Sequence, residues 1–134
     1  MKTKLILLFL AAALLVSSSA CSSEAPQELS VDISYSGKEV ALANGGTLTV
    51  TLESNPSTGY SWNENAKIID KTVIQQTDHR LQPALTPLPG AGGLEIWTFK
   101  AIKPGKTIIS MEYHRPFESG IEPTKTFGLA VVVK

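Results

Sequence analysis

The sequence has a single cysteine, Cys21, and two histidines, His79 and His114. One cysteine excludes an intramolecular disulfide and any CxxC metal motif. Two histidines supply a multi-histidine zinc site poorly. Neither sign of charge is in surplus: Lys plus Arg and Asp plus Glu each number 12. A nucleic-acid binder normally carries a basic excess, so no nucleic-acid partner is expected. There is no GxSxG nucleophile elbow. The histidines lie in no recognisable Ser-His-Asp context. Glu53, Glu95 and Glu112 are scattered over strand-like segments and read as solvated strand faces, not as a catalytic pair. Asn55–Pro56–Ser57 is not a glycosylation acceptor, because proline holds its middle position. No catalytic residue, metal or cofactor is expected. What remains is ordinary globular usage, 43% hydrophobic and 18% charged, over a one-domain length of 134 residues.

The chain opens with Lys2 and Lys4, and Leu5 to Val16 is an unbroken apolar run. That run is short for a bilayer span and of the length of a signal-peptide core. Ser17, Ser18, Ser19 and Ala20 are small, and Cys21 follows at once. The segment resembles a bacterial lipoprotein signal, which implies a lipidated Cys21 as the mature N-terminus. It departs from that pattern at Ser18, where such signals usually carry Leu. Ser18 and Ala20 also suit ordinary signal peptidase, and the alternative is therefore a soluble secreted or periplasmic protein. In either case the protein is exported. The expected division is a signal peptide over 1–20, a lipidated cysteine and polar tether over 21–28, and a folded domain over 29–134. Removing residues 1–20 leaves 114 residues, with ten basic against twelve acidic ones.

The remainder reads as strands. Leu29, Val31, Ile33 and Tyr35 alternate with polar residues. Leu48, Val50 and Leu52 alternate with threonines after the turn signal Asn44–Gly45–Gly46. Ile68 to Gln76 is a weaker candidate. Leu94 to Ala101 and Thr107 to His114 read as a hairpin around Lys103–Pro104–Gly105–Lys106, a type II turn by composition. Thr124 to Val133 is the last strand. Glu64 to Asp70 has room for one helical turn, and no window outside the leader carries a helical stripe. Short strands with Gly- and Pro-rich connections indicate an antiparallel sandwich or barrel.

Three loops hold the unusual residues. In Asn55–Pro56–Ser57–Thr58–Gly59–Tyr60, Pro56 fixes φ, Asn55 suits an Asx-turn and Gly59 is free to take positive φ. The expected product is a stiff loop with two small hydroxyl residues at its tip. The second loop, Gln82 to Gly93, is rich in proline and ends in Gly90–Ala91–Gly92–Gly93. It is longer than a hairpin needs, a length often tied to function. Its glycines would admit a partner's backbone, but they form no GxGxxG fingerprint. The third, Arg115–Pro116–Phe117, sets a guanidinium beside a rigid corner and an exposed ring, the composition of an interface hot spot.

Taken in order, Asn55–Tyr60, Gly90–Gly93 and Arg115–Phe117 resemble the three motifs of the chagasin-like inhibitors of papain-type cysteine proteases. Trp62, Trp97–Thr98–Phe99 and Tyr113 also look like that family, and the likeness spans Leu29 to Lys134. The resemblance implies an all-β, immunoglobulin-like antiparallel sandwich with its three loops at one end. It implies reversible occlusion of a protease cleft, with the position of Thr58 nearest the catalytic cysteine. Asn55, Pro56, Ser57, Thr58, Gly59, Tyr60, Gly90, Gly92, Gly93, Arg115, Pro116 and Phe117 are the implied contact residues. The departure is Phe117, where the family most often has Trp; a smaller ring buries less area. The implied partner is a papain-like cysteine protease, met by a monomer held to the bacterial cell envelope through its lipid. The alternative is a cell-surface immunoglobulin-like adhesion module with a partner of another kind.

Overall fold

The computed structural model describes residues 26–86 and 88–134. The leader, Cys21 and the first part of the tether lie outside these residues. Nine strands follow in order: β1 (Glu28–Val31), β2 (Lys38–Leu42), β3 (Thr47–Ser54), β4 (Ser61–Trp62), β5 (Lys67–Ile68), β6 (Ile74–Gln82), β7 (Gly93–Ala101), β8 (Gly105–His114) and β9 (Lys125–Val133). They form two packed sheets. One has the order β1-β3-β7-β6, and the other β2-β9-β8-β4 with β5 also on β8. Two short 3-10 turns, Ile33–Tyr35 and Pro56–Thr58, are the helical elements among the described residues.

Period-two patterning explains the layers. In β3, Leu48, Val50 and Leu52 point inward and the threonines outward. β8 and β9 alternate in the same way, burying Ile109, Met111, Phe127, Leu129 and Val131. Trp97 and Phe99 of the central strand β7 are fully buried between the sheets. The Trp97 indole N–H donates to the carbonyls of Asn63 and Glu64, at 3.2 and 3.0 Å. That satisfies its one polar atom inside the core.

The all-β sandwich agrees with the sequence reading, and several details differ. The first strand ends at Val31. Asp32 then accepts from the N–H and hydroxyl of Ser34 and turns the chain into a 3-10 segment. The chain passes to the other sheet as β2, a strand that Lys38–Leu42 gives no strong sign of. β1 pairs with β3, and β2 with β9, in parallel, so the sandwich is antiparallel except at these two edges. No helical turn forms over 64–70. The strand expected over 68–76 splits into β5 and a longer β6, whose exposed positions, Leu81 apart, are polar, as suits a sheet edge.

The expected hairpin between β7 and β8 does not exist. Both sides of β7 are taken, by β3 and β6, so the chain after Ala101 arches over to the second sheet. The 103–106 segment is an open bend, with Gly105 at φ 156° rather than the roughly 80° of a type II turn. A Cβ on Gly105 would lie 2.7 Å from Val73 Cγ2, so the arch is built for glycine.

The topology gives the sandwich two poles. β3, β6 and β8 end at one of them, followed by the 55–60, 83–92 and 115–124 connections. The 43–46, 69–73 and 102–104 connections lie at the other.

Candidate functional site

The three loops singled out in the sequence share one pole. The first is stiffened from within. Pro56–Thr58 forms a 3-10 turn, closed by Thr58 N–H and Gly59 N–H donating to the carbonyls of Asn55 and Pro56. Gly59 stops it in the left-handed region, at φ 81°. The Asx-turn expected at Asn55 is absent. Asn55 Oδ1 instead accepts the hydroxyl of Ser57 at 2.5 Å, and the Thr58 hydroxyl donates to the Asn55 carbonyl at 2.6 Å. Both tip hydroxyls are therefore engaged by the loop itself, while Pro56, Ser57 and Thr58 remain exposed.

Each loop is also tied to another. Asn55 Nδ2 donates to the Gly90 carbonyl at 3.1 Å, joining the first loop to the second. The Tyr113 hydroxyl accepts from the Asn55 N–H at 3.0 Å. The Tyr113 ring stacks on Tyr60, with centroids 5.6 Å apart, and leans on Trp62 at 5.1 Å. The Arg115 guanidinium lies 4.5 Å over the Tyr60 ring, and its Nη1 reaches Glu118 at 3.1 Å. A Cβ placed on Gly59 would come within 3.3 Å of the Phe117 ring, so the third loop rests on the first through that glycine. Phe117 is still 74% exposed. Leu85, Leu88 and Ile121 are also exposed in the second and third connections, which gives the pole an apolar rim.

The glycines of the second loop do not all serve a partner. A Cβ on Gly93 would overlap the Gln82 carbonyl, and one on Gly92 would press on the Ser54 carbonyl at 3.2 Å. These two let the loop pass close to its own neighbours. Gly90 has open space around it and sits at φ 80°. Tyr113 and Asn55 act here as struts. The sequence marks Tyr113 as a strand residue ahead of Arg115 that resembles the family, but not its bond to Asn55, since that partner lies 58 residues away. A Tyr113→Phe variant keeps the ring and orphans the part-buried Asn55 N–H. Loss of such a bond costs about 1 kcal/mol. The expected result is a loop pole that binds its partner several-fold more weakly, with a Tm lowered by only a few degrees, read by titration and calorimetry.

Beneath the loops lies one buried polar cluster. Glu95, which the sequence suggests is on a solvated face, is 3% exposed. β7 is an interior strand of its sheet, and three distant groups satisfy the carboxylate. Ser54 Oγ donates to Oε1 at 2.6 Å, Trp62 N–H to the same oxygen at 3.2 Å, and His79 Nε2 lies 3.0 Å from Oε2. The residue types are those of a hydrolytic triad, but their order is wrong. The serine donates to the carboxylate, not to the imidazole, so the histidine is not placed as its base. The cluster is structural. Among the described residues no group of three or more metal-ligating side chains comes together.

A sandwich displaying three mutually braced loops at one pole presents a binding surface. Comparison with known proteins places it. Residues 41–131 match the chagasin family of peptidase inhibitors. Amoebiasin-2 of Entamoeba histolytica is 31% identical over 87 residues, covering 65% of this chain and 70% of that protein. The crystal structure of the cysteine protease inhibitor EhICP2 from Entamoeba histolytica superposes with a TM-score of 0.72 at 23% identity, covering 80% of this chain and 96% of that one. PbICP-C, solved in complex with falcipain-2, superposes with a TM-score of 0.56 at 23% identity, covering 81% and 91%. The chain belongs to the chagasin family of peptidase inhibitors. It is an inhibitor and not an enzyme, and membership favours this reading over an adhesion module.

Proposed function

We propose that the loop pole reversibly blocks the active-site cleft of a papain-like cysteine protease. The observation that carries this reading is the bracing of three loops into one surface, with Thr58 and Phe117 left exposed on it. The Asn55–Tyr60 loop is the narrow element that enters the cleft, Thr58 foremost. Gly90–Gly93 and Arg115–Phe117 lie against its two sides. No bond is made or broken by the inhibitor. A pre-ordered loop keeps the entropic cost of binding low, and three such loops can supply the roughly 800 Å² per partner of a standard interface.

The test is a titration of the protein against papain, with a serine protease as control. Saturable, reversible loss of papain activity alone is expected. Thr58→Trp adds bulk at an exposed tip and is expected to weaken inhibition about a hundredfold, or about 2.7 kcal/mol, with Tm unchanged. Full potency in that variant would sink the proposed docking.

The exported context belongs to the same proposal. Residues 1–20 act as a signal peptide, Cys21 carries lipid, the tether expected over 21–28 gives way to the fold at Gln27 and Glu28, and the rest is a monomeric inhibitor domain at the bacterial cell envelope. The apolar run 5–16, the small residues 17–20 and the adjoining lone cysteine support it. Intact mass of the exported protein tests it. A lipid increment that disappears in Cys21→Ser is expected, and an unmodified cysteine would replace the anchor with plain secretion.

A further inference from the structure

The chain enters the fold far from its inhibitory loops. β1 runs parallel to β3, with Glu28 beside Thr47, and β3 leads away toward Asn55. Gln27 pins the entry point: its carbonyl accepts from Thr47 N–H and its side-chain oxygen from Ala43 N–H. Lys134 is at the same pole, where its carbonyl accepts from Asn44 N–H. The eight residues of β3, at about 3.4 Å each, set the two poles roughly 27 Å apart.

This far pole has a chemistry of its own. Its connections expose Lys71, Lys103 and Lys134, and the carboxylate side chains beside them are Asp70 and, at the first residue of β1, Glu28. Thr72 donates to Asp70 through its hydroxyl and N–H, which with nearby Lys103 holds that carboxyl below its ordinary range. Ile69 and Ile102 are 67% and 44% exposed. At the loop pole Arg115 and Lys125 are matched by Glu53, Glu118 and Glu122, so no basic excess arises there. Lysines beside exposed aliphatic side chains suit the surface of an anionic bilayer.

We propose that the far pole, through Ile69, Lys71, Ile102, Lys103 and Lys134, faces an anionic lipid surface, so that the anchored protein holds its three loops away from the membrane and captures proteases arriving from water. This rests on the lipid anchor proposed above. The six residues between Cys21 and Glu28 keep the entry point within about 25 Å of the bilayer, and the lysines and isoleucines around that entry point select the surface that turns toward it.

The test supplies the anchor chemically. Chain 21–134, which contains every described residue, is coupled through Cys21 to a maleimide lipid in phosphatidylcholine vesicles with or without phosphatidylglycerol. A fluorophore placed by amber suppression at Asn44 or at Ser119 reports energy transfer to a headgroup acceptor. Transfer several-fold more efficient from position 44 than from 119 is expected on phosphatidylglycerol vesicles. Lys71→Glu with Lys103→Glu should shrink that difference, and the coupled protein should titrate papain as the free chain does. Equal transfer from both positions, an unchanged difference in the double variant, or inhibition lost only on coupling would overturn the proposal. The other readings fail separately: a missing lipid in the exported protein removes the natural anchor, and a free chain without effect on papain removes the inhibitor mechanism.

Discussion

A Gly59→Val protein is expected to fold and to inhibit at least about a hundredfold more weakly than the parent. Gly59 holds φ 81° and ψ −2°. An L-residue in this region costs about 1–2 kcal/mol, and a β-branched one suffers most. Relief by unwinding the loop would break the 2.9 Å bond from Gly59 N–H to the Pro56 carbonyl and move Thr58 with it. The new side chain also meets the Phe117 ring, which a Cβ alone would approach to 3.3 Å. Phe117 is largely exposed and has room to leave, taking the third loop off the first. Two of three contact elements are displaced by one substitution, none of it in the core. Titration against papain should show the loss while calorimetry shows a Tm lower by only a few degrees. Unchanged potency in Gly59→Val would mean that the loop's conformation does not matter to binding.

The largest effect on stability is expected from Trp97→Ala. Trp97 is fully buried in the central strand, and its ring lies 5.0 Å from the His79 ring. Truncating a buried tryptophan costs about 3–5 kcal/mol through lost contacts and the cavity left behind. The carbonyls of Asn63 and Glu64 lose their shared donor as well. For a domain of this size the expected drop in Tm is roughly 12–30 °C, measurable by scanning calorimetry. Inhibition at low temperature should survive, because the loops' cross-ties run through Tyr113, Asn55 and Arg115 rather than through Trp97. A drop of only a few degrees would show that the space can collapse.

How far the sequence reveals this protein depends on the range of the interactions concerned. β3, β8 and β9 are legible because one face of each is buried and period two survives in the residues themselves. β2 is hidden: Lys38, Glu39 and Ala41 are exposed on a sheet edge, and Val40 and Leu42 alone carry the pattern. β6 is displaced in the reading because Thr77, Asp78, Arg80 and Gln82 are polar on an edge strand. The Lys103–Gly105 turn signal is real but marks an arch between sheets. Turn chemistry records a change of direction, not the sheet that receives the next strand. The loops are legible because proline, glycine and asparagine act on their own backbone. Their bracing is not, since Asn55 meets Gly90 across 35 residues. The burial of Glu95 is hidden for the same reason: its partners come from β3, β4 and β6.

The 3-10 turn at Pro56–Thr58 bears on how long the inhibitor lasts. A peptide bond is offered for cleavage when its segment lies extended across a protease's cleft. This segment is coiled, its first residue has no N–H to give, and Asn55 and Pro56 carbonyls are already bonded within the loop. Straightening it would forfeit those bonds and the tie to Gly90 together. In the proposed docking the loop would take a substrate's place in a shape that a substrate cannot have, and the inhibitor should leave the enzyme uncut, available for another encounter.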